Sequence, residues 1–147
     1  MGAPHELLIA DTREVKAVLS SDDPIDAWEG FPCRDVDSAK LVSLWALVEG
    51  GDLRHDIARR RDDVPAIPDP YGHPWVAVVP PPMLESLAAI AAMDDDEVER
   101  LAREWGRGQE FEGWDRQEIF DLLRDVGDLA ETALLERKTL LLWTGAE

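Results

Sequence analysis

A single cysteine, Cys33, is all the chain carries, so no internal disulfide can form. Lysine is nearly as scarce, confined to positions 16, 40 and 138, and tyrosine occurs once, at 71. The three histidines (His5, His55 and His73) form no HExxH pattern, and the chain has no CxxC, GxSxG or Gly-rich phosphate loop. These absences remove the motif-bearing zinc proteases, nucleophile-elbow hydrolases and P-loop enzymes, and no cofactor or metal is expected. No apolar run reaches the ~18 residues of a membrane span. His5 and Glu6 interrupt the N-terminal apolar residues early, so the expectation is a cytoplasmic protein without an export signal.

Positive charge is the other shortage. Fifteen Lys+Arg stand against 32 Asp+Glu, a formal net charge of −17. The excess acid is spread over every third of the chain and does not form a tail. Such a field repels phosphate backbones and anionic membranes, which argues against direct nucleic-acid binding, and it accelerates encounter with a basic partner. Acidity of this kind also serves solubility alone. The preference for Arg over Lys, with abundant Ala, Asp and Gly, is a bacterial, GC-rich usage.

What is present suffices for a core. Hydrophobic residues make up 45% of 147, enough for one globular domain over residues 1–147. The apolar patterning predicts an α+β, helix-rich fold with a small sheet of two to four strands. The apolar patterning makes the chain's end the stretch the rest packs against. Asp115 and Glu118 form a capping-box pattern, and Ile119, Leu122, Leu123, Val126, Leu129, Ala130, Ala133 and Leu134 recur at helical spacing. A helix over 116–137 would run roughly 33 Å. Leu140, Leu141, Leu142 and Trp143 follow as a buried strand, and Trp75, Val76, Ala77, Val78 and Val79 form the clearest β-branched run. These two strands are expected to be neighbours, joined by 7–10 if that segment is extended.

Further helices are predicted over 12–20 (Asp11 and Glu14 as a second capping box), after Asp37 or Ser38 up to Gly50-Gly51, over 83–92, and from the acidic run Asp94 to Glu97. Residues 24–36 read as irregular, 52–61 as a short polar helix, and 62–74 as a proline-rich loop. The expected core comprises Leu44, Trp45, Leu47, Val76, Val78, Leu87, Leu101, Ile119, Leu122, Val126, Leu134 and Leu141.

Two stretches resemble the YfbM-like family of small bacterial proteins. One is Asp37-Ser38-Ala39-Lys40-Leu41 through Leu47-Val48-Glu49-Gly50-Gly51. The other is the late helix running into Leu134-Leu135-Glu136-Arg137-Lys138-Thr139-Leu140-Leu141-Leu142-Trp143. The resemblance covers about a third of the chain. It implies the same helix-and-sheet layout and brings no catalytic residues.

Chemistry has few candidates. Asp52, His55 and Asp56 share a helix face at i, i+3 and i+4, a spacing that serves weak metal ligation or, more often, a solvated surface paired with Arg59 and Arg60. Cys33 with His55 or His73 offers a nucleophile and base, although a lone cysteine after Phe31-Pro32 is usually a small buried hydrophobe. Aromatics interleaved with acids stand out more. Trp28, the loop residues Asp69, Tyr71 and His73, and the stretch Glu110, Phe111, Glu112 and Trp114 could grip a basic surface by charge and ring contacts.

The leading expectation is therefore an acidic, non-catalytic protein-binding module, in its most concrete form an immunity-type inhibitor of a basic toxin or nuclease. The alternatives are a small hydrolase or transferase using Cys33/His73 or a carboxylate, and an accessory domain that forms a homodimer through an exposed tryptophan patch.

Overall fold

A computed structural model of the chain describes residues 5–33, 36–49, 66–67, 75–107, 111 and 113–145. Their order is β1 (His5–Ala10), α1 (Val15–Leu19), β2 (Gly30–Pro32), α2 (Ser38–Glu49), β3 (Ala66–Ile67), β4 (Trp75–Val78), α3 (Pro81–Ala89), α4 (Asp95–Trp105), α5 (Arg116–Leu135) and β5 (Thr139–Thr144). The fold is α+β and helix-rich.

The sheet runs β2-β1-β5-β4-β3, antiparallel throughout. Its first and last strands in the chain lie side by side at the centre, with Leu7 opposite Leu142 and Leu8 opposite Leu141. The two predicted strands are neighbours, Val76 facing Trp143 across β4 and β5. The three principal strands are those expected, and the short ladders β2 and β3 extend the sheet at its edges to five.

Both faces of this sheet are covered, which explains why Thr139–Thr144 shows no polar alternation in sequence. Leu7, Ile9, Ala77, Val79, Leu140 and Leu142 meet the four long helices. On the other face Leu8, Ala10, Val76, Leu141 and Trp143 meet Val15 and Val18 of α1, with Ile25 and Trp28 closing the rim. The main core is the helical side, where α5 packs along α3 and α4.

Local chemistry sets the helix starts. The Asp11 carboxylate accepts from the Arg13 amide at 3.0 Å, while Glu14 returns to the Asp11 amide at 2.9 Å, completing the expected capping box. Asp37, one of the two expected caps, accepts from the Lys40 amide at 2.9 Å at the start of α2. Asp94 caps α4 through the Glu97 amide, also at 2.9 Å. Asp115 caps α5 through the Gln117 amide at 3.2 Å, but Glu118 is exposed and makes no return bond among the described residues.

The expectation for α5 needs correcting at its end. The helix stops at Leu135, and Arg137 adopts a left-handed backbone (φ 59°) that lets the Lys138 amide reach the Ala133 carbonyl at 2.9 Å. Leu134, predicted as core, is 40% exposed, and Leu135 is 78% exposed. The last turn keeps its apolar periodicity but has run past the packed layer. Leu47 and Val78, also predicted as core, are half-buried at its margins. The predicted polar helix over 52–61 and most of the loop over 62–74 lie outside the described residues.

One contact inside α5 is testable. A Cβ at Gly127 would sit 3.0 Å from the Ala91 amide nitrogen and 3.0 Å from Ile90 Cβ, where α5 crosses the 3-10 turn Ile90–Ala92. Alanine's better helix propensity favours Gly127→Ala by about 1 kcal/mol. Overpacking against backbone costs about 1–3 kcal/mol. The expected net effect is a loss of about 1 kcal/mol in urea denaturation. A stabilised variant would show that α5 lies farther from that turn.

Candidate functional site

Of the partner-binding residues singled out in the sequence, Trp28, Phe111 and Trp114 are described, and Trp28 stands apart from the other two. Phe111, expected at a binding surface, is buried in the main core, edge-on to Trp105 (centroids 4.6 Å apart) and to Trp114 (5.3 Å). The physical reason is what stands opposite: its ring packs beside Trp105 at the end of α4 and lies against the buried Lys40 ammonium, 5.3 Å from its centroid. Trp114 is half-buried beside it. Trp28 is half-buried on the opposite side of the sheet, its indole N–H donating to Glu14 at 3.0 Å. Asp69, Tyr71, His73, Glu110 and Glu112 lie outside the described residues, as do Asp52, His55 and Asp56. Trp45, Trp105 and Trp143 are buried.

Cys33 does not suit nucleophilic work. It is 3% exposed, and burial, reinforced by the nearby Glu6 charge, pushes its thiol up to about 12. Nucleophilic attack requires the thiolate, which this environment suppresses at neutral pH. Among the described residues no group of three His, Cys, Asp or Glu side chains could hold a metal ion. No described helix is long and apolar enough to cross a membrane.

A site the sequence reading did not single out lies between the β2 edge and the second half of α5. Glu29 and Phe31 form one wall; Asp125, Asp128, Leu129 and Thr132 form the other, around a cavity of about 270 Å³. α5 places Asp125, Asp128 and Thr132 on successive turns of one face, and pairing of Leu7 with Phe31 sets β2 beside it. The Thr132 hydroxyl donates to the Asp128 carbonyl at 2.9 Å and so is already committed to its own helix. The charged groups in the cavity are three carboxylates, backed by the Phe31 ring and the Leu129 side chain.

Among the described residues these carboxylates have no cationic partner holding them. Arg124, the basic residue of this part of α5, turns away to pair with Asp95 and to donate to the Met93 carbonyl at 3.0 Å. Between described residues only two other ion pairs form, Arg13–Asp11 and Lys138–Glu136. Burial raises the Asp125 carboxyl above its ordinary range, and the charges of Asp121 and Asp128 add to it. Like charges at i, i+3 and i+4 oppose the helix that carries them. A Lys or Arg head entering the cavity would relieve that repulsion and meet an aromatic wall. The sequence does carry one signal for this: Asp121, Asp125 and Asp128 fall on one polar helix face whose single basic residue is Arg124. It carries none for β2 standing opposite.

Comparison of the chain with protein-family models, with curated proteins and with solved structures finds no match in any of the three.

Elsewhere the acid is structural and its titration is measurable. Glu6 is buried beneath the 3-10 turn Pro24–Asp26 and accepts from the Ile25 amide at 3.1 Å. Burial raises its carboxyl above 4.5, and Asp23 and Asp26 push the same way against that hydrogen bond. The folded chain therefore holds this proton to higher pH than the unfolded chain. Glu6's contribution is most favourable at low pH and declines as pH rises through the interval above 4.5. Glu6→Gln, whose amide oxygen can keep the Ile25 bond, is expected to flatten that decline as pH rises above 4.5. Identical pH slopes for variant and wild type in urea denaturation would show that Glu6 is not buried as a carboxyl.

Proposed function

We propose that this protein is an acidic, non-catalytic binding module that acts in the cytoplasm by engaging a basic protein partner. The observation carrying this reading is the cavity walled by Glu29, Phe31, Asp125 and Asp128, in which three carboxylates with no cationic partner among the described residues face an aromatic ring. A partner's arginine fits it best, because a planar guanidinium can take two carboxylate contacts while its face rests on Phe31. The net charge of −17 supplies the long-range attraction, and the cavity supplies the local grip. An immunity-type inhibitor of a basic toxin or nuclease is the concrete form that fits these features. The hydrolase alternative loses its cysteine nucleophile, and the resemblance to the YfbM-like family adds no residue to either reading.

The test is capture from a lysate of the native host, with wild-type protein and with Asp125→Lys/Asp128→Lys as paired baits. The expected result is a basic protein retained by wild type and lost from the variant. Recovery of only acidic or neutral proteins, or equal recovery by both baits, would overturn the proposal.

A further inference from the structure

A second cleft, at the other end of α5, has the opposite charge. Arg103 of α4, Arg107 just beyond it and Arg116 at the first position of α5 line a cavity of about 340 Å³ with Trp114. Arg116 and the centre of the acidic cavity at Asp128 are about 18 Å apart along the helix axis. Three of only 15 basic residues thus gather at one cleft in a chain with 32 carboxylates, and none of the three is ion-paired between described residues. The helix dipole accounts for Arg103 and Arg107, which sit at the negative end of α4. It does not account for Arg116, which stands at the positive end of α5, where a cation is disfavoured.

The floor of the cleft is shaped as well as charged. Gly106 approaches α5 so closely that a Cβ there would meet Ile119 Cδ1 at 2.8 Å. Trp114 is half-buried and fixed by its edge contact with Phe111. The volume lies within the range of small-molecule pockets, near its lower end.

We propose that this cleft binds a small organic anion, a phosphate or carboxylate group attached to a flat apolar body. The anionic group is held by the guanidinium forks of Arg103, Arg107 and Arg116, which match its planar or trigonal oxygens. The apolar body rests against Trp114. Because the site stands at the far end of α5 from the acidic cavity, its occupancy is independent of a basic partner there.

The test is titration of isotope-labelled protein at physiological salt with phenyl phosphate, benzoate and inorganic phosphate, followed at the Gly106 amide and the Trp114 indole N–H. Phenyl phosphate or benzoate is expected to shift both signals saturably below about 10 mM, with inorganic phosphate at least about tenfold weaker. Whichever organic probe binds more tightly identifies the anionic group. Arg103→Gln/Arg116→Gln, which alters exposed side chains only, is expected to weaken binding by about tenfold or more. Absence of saturation by either organic probe, inorganic phosphate binding as well as phenyl phosphate, or wild-type affinity in the arginine variant would each overturn the proposal.

Discussion

Trp105→Ala is expected to cost about 3–5 kcal/mol, a large share of the 5–15 kcal/mol that holds a domain of this kind together. Trp105 is buried at the end of α4, and it ties together elements far apart in the chain. Its indole N–H donates to the Lys40 carbonyl in α2 at 3.0 Å, in a buried setting. Its ring meets Phe111 edge-on, and Phe111 in turn holds Trp114. Removing it leaves a cavity that α2 and α4 cannot both close while keeping their contacts with the sheet. Trp105→Phe separates the contributions: most of the apolar area stays, and the expected loss falls to about 1–2 kcal/mol for one hydrogen bond and residual volume. Urea denaturation followed by far-ultraviolet circular dichroism measures both. A loss under about 1.5 kcal/mol for the alanine variant would show that the α2–α4 contact carries little of the fold.

For Asp125→Lys/Asp128→Lys the expected result is an affinity for the basic partner about 100-fold weaker, or about 2.7 kcal/mol. A single rim charge is worth only 0.2–1 kcal/mol. Here, however, two attractive contacts become two repulsions around a cavity that one cationic head must enter. Fold stability should not suffer. A lysine at 125 attracts Asp121, while the 125/128 pair exchanges one like-charge repulsion for another and a lysine at 128 opposes Arg124, so the variant is expected to unfold at about the same urea concentration. A control matches the change in net charge: Asp22→Lys/Glu85→Lys alters two exposed carboxylates outside the cavity and is expected to cost less than tenfold. Equal losses for the two double variants would assign recognition to diffuse charge and not to the cavity.

Much of the architecture is legible in the residues themselves. α5 and β5 follow from a long run at helical spacing and a short continuous apolar run, patterns that local physics reads directly. The Asp11–Glu14 capping box and the Asp94 cap are equally local. The failures share a cause: they depend on what stands opposite. Leu134 has the right spacing but no layer beneath it. Phe111 sits among acids and glycines in sequence yet is drawn into the core by Trp105 and Lys40. Phe31 lies in a stretch that reads as irregular, and only pairing of β2 with β1 brings it to Asp125. Both charged clefts are of this kind, since each combines side chains from two elements whose adjacency no local pattern encodes.

The central claim is that recognition resides in the cavity between β2 and α5 and not in the overall charge. The most direct measurement is titration of isotope-labelled protein with a short arginine-containing peptide at physiological salt. Saturable shifts concentrated at Glu29, Phe31, Asp125, Asp128 and Thr132 are the predicted result. Small shifts spread evenly over the acidic surface, with those five residues unmoved relative to the rest, would contradict it.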